Sequence, residues 1–161
     1  MKRICLVRKY LPTLFIAVSL ALLANIFVWQ IGVVASPSMA PTVDEKALIV
    51  GNRLSYLNDD PQRGDVVIFT KDDRLLVKRV IGIPGDYIFF KDGQVYLNGE
   101  LLEEPYLMEQ YSTYSTRYEF YLTADKYFLM GDNRKVSDDS RRWDMPTISR
   151  GDISSKVVFF F

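Results

Sequence analysis

Residues 87–99 read Tyr87-Ile88-Phe89-Phe90-Lys91-Asp92-Gly93-Gln94-Val95-Tyr96-Leu97-Asn98-Gly99, two short apolar runs each closed by a pair of turn residues. Both central positions of a type I′ turn need positive φ, which Asp-Gly and Asn-Gly accept, so the stretch predicts strands joined by tight hairpins. The same grammar extends outward in both directions. It recurs as Ala47-Leu48-Ile49-Val50, Val66-Val67-Ile68-Phe69 and Leu75-Leu76-Val77 on one side, and as Tyr127-Phe128-Leu129-Met130 and Val157 to Phe161 on the other. Arg63-Gly64-Asp65, Pro84-Gly85-Asp86 and Gly131-Asp132-Asn133 punctuate these runs. Short β-branched and aromatic segments between such breaks predict an all-β domain of antiparallel sheets. No amphipathic helix is read after residue 36. From Glu103 to Thr123 the composition shifts to tyrosine, serine, threonine and glutamate. Residues 91–125 are therefore expected to form a smaller inserted subdomain, with 36–90 and 126–161 building the main sheet.

The N-terminal part of the 161-residue chain obeys a different rule. Lys2, Arg3, Arg8 and Lys9 are followed by no charged side chain from Tyr10 through Val43. As a helix, Leu11 to Val34 would span about 36 Å, enough to cross a hydrocarbon core of about 30 Å. Basic residues before the run and none just after it predict a cytoplasmic N-terminus. The expected layout is residues 1–10 in the cytoplasm, a single-pass anchor over 11–35 in the cell membrane, and an extracytoplasmic β domain over 36–161. A cleaved secretory signal is the competing reading, but its apolar core would be only about 7–15 residues. Beyond the anchor, 16 basic side chains stand against 20 acidic ones, a net of −4.

Composition excludes several chemistries. There is no histidine and a single cysteine, Cys5, so neither a Ser-His-Asp nor a Cys-His hydrolase can be assembled in cis, and no multi-cysteine or histidine-ligated metal site can form. No metal and no cofactor are expected. A formal net charge of zero and no basic patch beyond the N-terminus argue against a nucleic-acid partner. Base catalysis must come from Lys, Asp, Glu or Tyr.

Three segments carry candidate chemistry. Ser36-Pro37-Ser38-Met39-Ala40-Pro41-Thr42 follows the apolar run directly, and its prolines stiffen the backbone around Ser38. By itself it reads more readily as a juxtamembrane linker. Val77-Lys78-Arg79-Val80-Ile81 embeds a lysine in an apolar strand. Neighbouring strand residues point to opposite faces, so a Lys78 turned inward would be desolvated and its pKa lowered towards the range of a general base. The alternative is a pair of edge charges that block aggregation. Gly131 to Arg141 is a dense polar loop after an apolar strand, readable as a turn held by Asx bonds and an Asp139–Arg141 ion pair, or as a source of a hydroxyl that orients the amine.

Together with Arg63-Gly64-Asp65-Val66-Val67-Ile68-Phe69, these segments closely resemble, in order and spacing, the conserved boxes of the type I signal peptidases, membrane-bound serine proteases that remove signal peptides from exported proteins. The resemblance implies a signal-peptidase-type fold of two antiparallel β-sheet regions behind an N-terminal transmembrane helix. It implies Ser38 as nucleophile, Lys78 as general base, and the Ser36 hydroxyl with the Ser38 N–H as oxyanion hole. Ser137 matches the serine that orients the lysine, while Asp139 and Arg141 match a pair that braces the loop. The implied partners are exported preproteins and the lipid bilayer, with cleavage after small residues at −1 and −3. Val34, Met39 and Val77 are the expected pocket walls.

Two rival readings remain at this point. A dedicated pilin or conjugation-type processing peptidase would use the same dyad on one substrate. A catalytically silent pilus-assembly chaperone is opposed by the presence of both Ser38 and Lys78. After Trp143 the resemblance fades, with Ser154-Ser155 where many relatives carry glycine.

Overall fold

The computed structural model describes residues 2–107 and 112–161. The apolar N-terminal run divides into two elements. Helix α1 spans Lys2–Val28, and Trp29–Val33 then forms strand β1, whereas the sequence predicts a single anchor through residue 35. The local pattern explains the break: Trp29, Ile31 and Val33 alternate with Gln30 and Gly32, a period that suits a strand, and a sheet edge is at hand. Strand β2 (Leu48–Asn52) pairs antiparallel with β1, from Trp29 opposite Asn52 to Val33 opposite Leu48. The Arg53 N–H donates to the Val28 carbonyl at 2.8 Å, so the sheet satisfies an orphan carbonyl at the helix end. Among the described residues no helix is long and apolar enough to cross a membrane; the expected membrane passage rests on the sequence.

The chain continues through β3 (Val66–Lys71) and the nine-residue β4 (Arg74–Gly82). Their hairpin turn carries Asp72 and Asp73, both at positive φ. After β4 the backbone turns at Pro84-Gly85, with Gly85 at φ 90°, and enters β5 (Tyr87–Lys91), β6 (Gln94–Leu97), β7 (Glu100–Leu101) and β8 (Glu119–Tyr121). These four form a separate sheet in the order β7-β6-β5-β8. The hairpin positions predicted from sequence are occupied as expected: Asp92 and Gly93 lie at φ 51° and 75°, Asn98 and Gly99 at 53° and 93°. The smaller sheet starts at Tyr87 and not at residue 91, because the Asp92-Gly93 hairpin pairs β5 with β6 and so takes β5 away from the main sheet. Of the expected excursion over 103–123, residues 108–111 lie outside the described residues.

Strands β9 (Lys126–Met130), β10 (Ile148–Ser149) and β11 (Ile153–Phe160) return to the main sheet, whose order is β1-β2-β11-β3-β4-β9-β10. Strand β9 is buried on both faces. Phe128 and Met130 join Ile81, Ile88, Phe90 and Phe120 in the core between the two sheets, while Tyr127 and Leu129 pack with Val67, Phe69 and Val80. A third cluster of Val34, Met39, Val43, Ile49 and Ile68 lies under the segment that carries Ser38.

One contact crosses three strands. Gln30 on β1 accepts hydrogen bonds from Ser154 Oγ at 2.9 Å and Ser155 Oγ at 2.8 Å on β11, although β2 lies between. Gly51, opposite Gln30, leaves the space: a Cβ there would stand 2.3 Å from Ser155 Oγ and 2.8 Å from Ile68 Cδ1. Overpacking of a well-filled site costs about 1–3 kcal/mol. Gly51→Ala is expected to lower stability by about that amount, read as a lower urea midpoint at an unchanged slope.

Candidate active site

The Ser36 to Met39 segment enters from β1 and closes into a single 3-10 turn, Pro37–Met39, with Pro37 at its start. Ser38 is buried by this turn, and its carbonyl accepts the Asn133 N–H at 3.0 Å. Gly131 passes against the same carbonyl. A Cβ on Gly131 would approach Ser38 O to 2.4 Å and Ser137 Oγ to 2.3 Å, so only glycine lets the polar loop sit against the serine backbone.

Strand β4 supplies the second group. Lys78 lies opposite Val67 in the β3–β4 register, on the face that also holds Leu76 and Val80. It is 5% exposed, and its Nζ donates to Ser38 Oγ at 2.6 Å. Ser36 Oγ donates to the same Ser38 oxygen at 3.2 Å. Burial pushes the Lys78 amine below its ordinary pKa; Asp139, Asp138 and Asp132 oppose this, and Arg141 adds to it. Desolvation is the largest of these effects, so the lysine is held towards its neutral form.

Ser137, Asp139 and Arg141 lie in the loop behind the lysine. All three are buried. Arg141 Nε and Nη2 donate to the two carboxylate oxygens of Asp139 at 2.8 and 2.7 Å, and the Gly131 N–H donates to Asp139 at 3.0 Å. Burial alone would raise the Asp139 carboxyl, but these donors outweigh it and hold it below the usual carboxylate range. Ser137 Oγ is fully enclosed beside Asp139 and makes no hydrogen bond of good geometry among the described residues.

Sequence reading overlooked the opposite face of β4. Arg79 is also buried, and it forms a two-pronged ion pair with the wholly enclosed Asp132, Nε to Oδ1 at 2.8 Å and Nη2 to Oδ2 at 2.6 Å. Its guanidinium stacks 3.9 Å from the Tyr106 ring and donates to the Gly64 carbonyl at 2.8 Å. Tyr106 donates to Glu104, which pairs with Arg134; Arg134 in turn donates to Thr113 and to the Gly131 carbonyl. Asp132 and Arg134 were visible inside the loop motif. Nothing in the sequence pairs Glu104 with an arginine thirty residues away.

The Arg63-Gly64-Asp65 box braces the same strand from its other end. Arg63 donates to the Ile81 carbonyl at 2.7 Å and pairs with Asp86, and Gly64 N–H donates to the Val80 carbonyl at 2.8 Å. Asp65 accepts from Tyr56 Oη at 2.8 Å and pairs with Lys156 at 2.6 Å.

A cleft of about 530 Å³ opens over Ser38 and Lys78, lined by Ser36, Pro37, Leu76, Val136, Asp138 and Trp143 with the Lys71–Arg74 hairpin. Val34, Met39 and Val77 are not among its walls. They belong to the apolar cluster below, and strand alternation turns Val77 to the Arg79 side while Leu76 faces the cleft.

Residues 7–161 match the family model described as signal peptidase, peptidase S26. The chain belongs to this family. It is 37% identical to signal peptidase I S of Bacillus subtilis strain 168, over 94% of this chain and 88% of that one, and 39% identical to signal peptidase I of Bacillus licheniformis, over 83% and 77%. The crystal structure of a signal peptidase I from Enterococcus faecalis V583 superposes with a TM-score of 0.53 at 25% identity, covering 62% of this chain and 98% of that one. The protein is accordingly a hydrolase of peptide bonds, a serine endopeptidase of signal peptidase I type. Its mostly antiparallel β architecture is that of the family.

Removing one member of a buried ion pair strands the other charge at a cost of about 3–5 kcal/mol. Asp132→Ala is expected to lose that much stability in urea unfolding, and the double variant with Arg79→Met to recover part of it.

Proposed function

We propose that this peptidase cleaves signal peptides from exported preproteins with a Ser38/Lys78 dyad, from a position anchored in the cell membrane. The observation that carries the reading is the 2.6 Å approach of Lys78 Nζ to Ser38 Oγ, with both residues buried. It also speaks against a silent chaperone.

In this mechanism the neutral Lys78 amine takes the Ser38 proton as Oγ bonds to the scissile carbonyl carbon. The carbonyl electrons move to oxygen, and the resulting oxyanion is met by the Ser36 hydroxyl and the Ser38 N–H. As the intermediate collapses, the lysine ammonium gives its proton to the departing amine, leaving an ester on Ser38. Neutral again, Lys78 takes a proton from water, which attacks the ester and frees the signal peptide. The Asp139–Arg141 pair braces the loop behind Lys78, and in this reading the enclosed Ser137 hydroxyl, which makes no hydrogen bond of good geometry among the described residues, steadies the amine once the Ser38 proton has moved to it. The family resemblance implies small substrate side chains at −1 and −3.

Membrane anchoring is supported by the run from Leu11 and by its surroundings. Leu14, Phe15, Ile16, Leu20, Leu22 and Phe27 on α1 are all more than half exposed. Next to the helix, Ile31 and Val33 on β1, Phe159 near the end of β11 and Phe161 just beyond it are similarly bare. An apolar surface of that kind, continuous with the helix, fits lipid better than water. The N-terminal basic residues favour a helix start in the cytoplasm and a β domain outside.

The test is cleavage of an Ala-X-Ala preprotein by the membrane-reconstituted enzyme. Ser38→Ala is expected to lose about 10⁴-fold or more in kcat, and Ser36→Ala about 10²–10³-fold. Lys78→Arg keeps a cation but cannot surrender its proton, so it is expected to be as inactive as Ser38→Ala; normal cleavage by it would remove Lys78 from the role of base.

Activity should rise with pH as Lys78 loses its proton. Because burial lowers that pKa, the rise in kcat/KM is expected to be complete well below the value of about 10.4 for a free lysine. A rise centred at or above that value would contradict a desolvated base.

A further inference from the structure

The cleft does not end at the dyad. It continues past Trp143 into a second depression of about 450 Å³ lined also by Arg142, Asp144 and Met145, and Lys71, Asp72, Asp138 and Trp143 line both. Trp143 is the shared wall. Its ring packs against Phe69, with centroids 6.1 Å apart, and Lys71 Nζ lies 5.1 Å above it.

The charges along this path are unequally engaged. Lys71 pairs with Asp72 at 3.3 Å as well as lying over Trp143. Arg74 is on the same strand face as Lys78 but four residues earlier, about 13 Å away at the rise of a strand. Asp138 is different. It is exposed, lines both depressions, acts electrostatically on Lys78, and forms no ion pair or hydrogen bond among the described residues. The sequence reading gave it no role, and the mechanism above does not use it.

The reaction gives direction to the cleft. The group that protonates the departing amine must face the departing segment, so the first residues of the mature protein leave on the lysine side of Ser38, and the oxyanion side is marked by Ser36. The loop from Val136 to Trp143 is on the lysine side. We propose that Asp138, over the Trp143 wall, is a specificity-determining residue for the mature side of the substrate, favouring a basic side chain at +1 or +2. This rests on Lys78 being the dyad base. A lysine or arginine there lays its methylenes along Val136 and Trp143 and brings its charge to the Asp138 carboxylate; a glutamate meets repulsion.

The full-length enzyme, reconstituted in vesicles, is given preproteins sharing one Ala-X-Ala signal and carrying Lys, Ala or Glu at +1, and the same set at +2. The quantity read is the ratio of kcat/KM for Lys over Glu. Exposed charge pairs are weak, so wild type is expected to favour Lys on the order of fivefold, and less so in 0.5 M salt as screening sets in. Asp138→Asn should bring the ratio near one, and Asp138→Lys should invert it. Any change that Asp138 causes in the basicity of Lys78 is common to all substrates and cancels in the ratio. A wild-type ratio of one, or a ratio unmoved in Asp138→Lys while the Ala substrates are cut, overturns the subsite and leaves the dyad standing. A wild type that cuts none of the substrates overturns the dyad reading and the subsite with it.

Discussion

The ion pair of Arg79 with Asp132 joins the strand that bears the lysine to the loop that backs it, and much of the site's geometry follows from that link. Both partners are enclosed, so the pair is not a cheap source of stability; desolvation cancels much of the attraction. What it supplies is position. A guanidinium fork accepts a carboxylate in one orientation, and the Gly131-Asp132-Asn133 backbone is thereby placed against the Ser38 carbonyl. Strand alternation does the rest: with Arg79 committed to one face, Lys78 is committed to the other.

The environment of Lys78 combines two opposed influences. Apolar neighbours across the strands, Val67 foremost, favour the neutral amine, while carboxylates in the loop favour the ammonium. Asp139 would be the strongest stabiliser of the charge, but it is shared with Arg141 and with a backbone donor. The paired carboxylate holds the loop in place without fully charging the amine. The role of general base proposed for Lys78 needs this intermediate condition, neutral enough to accept a proton and basic enough to keep it for one step.

Local signals in the chain predicted local features well. The Asp92-Gly93 and Asn98-Gly99 hairpins follow from backbone preferences of two residues each, and strands β2, β3, β5, β6 and β9 from runs of a few residues. Lys78 and Ser38 stood out as candidates because a lysine in an apolar strand and a serine between prolines are unusual, and because their order matched a family. The identity of β1 was masked by the apolar run around it: the Trp29–Val33 alternation covers only five residues, and the β2 register with the Gln30–β11 contact decides it for a strand. The Glu104–Arg134 pair and the Tyr106 stack were hidden for another reason: they depend on how the smaller sheet folds back, which no short-range pattern encodes. Val77 was expected as a pocket wall, but as the strand neighbour of Lys78 it faces the other way, and Leu76 lines the cleft.

The direct passage from α1 into β1 has a practical side. The helix ends at Val28 and the edge strand begins at Trp29, without an intervening linker. Gln30, the Arg53 bond to Val28 and the whole β1–β2 ladder therefore lie between helix α1 and the serine. A shorter form trimmed to Ala35, where composition places the end of the apolar run, would lack the outermost strand and expose β2 as a bare edge next to Phe159 and Phe160. Trimming instead at the helix–strand junction keeps the sheet whole, and with it the approach by which the chain delivers Ser38 to Lys78.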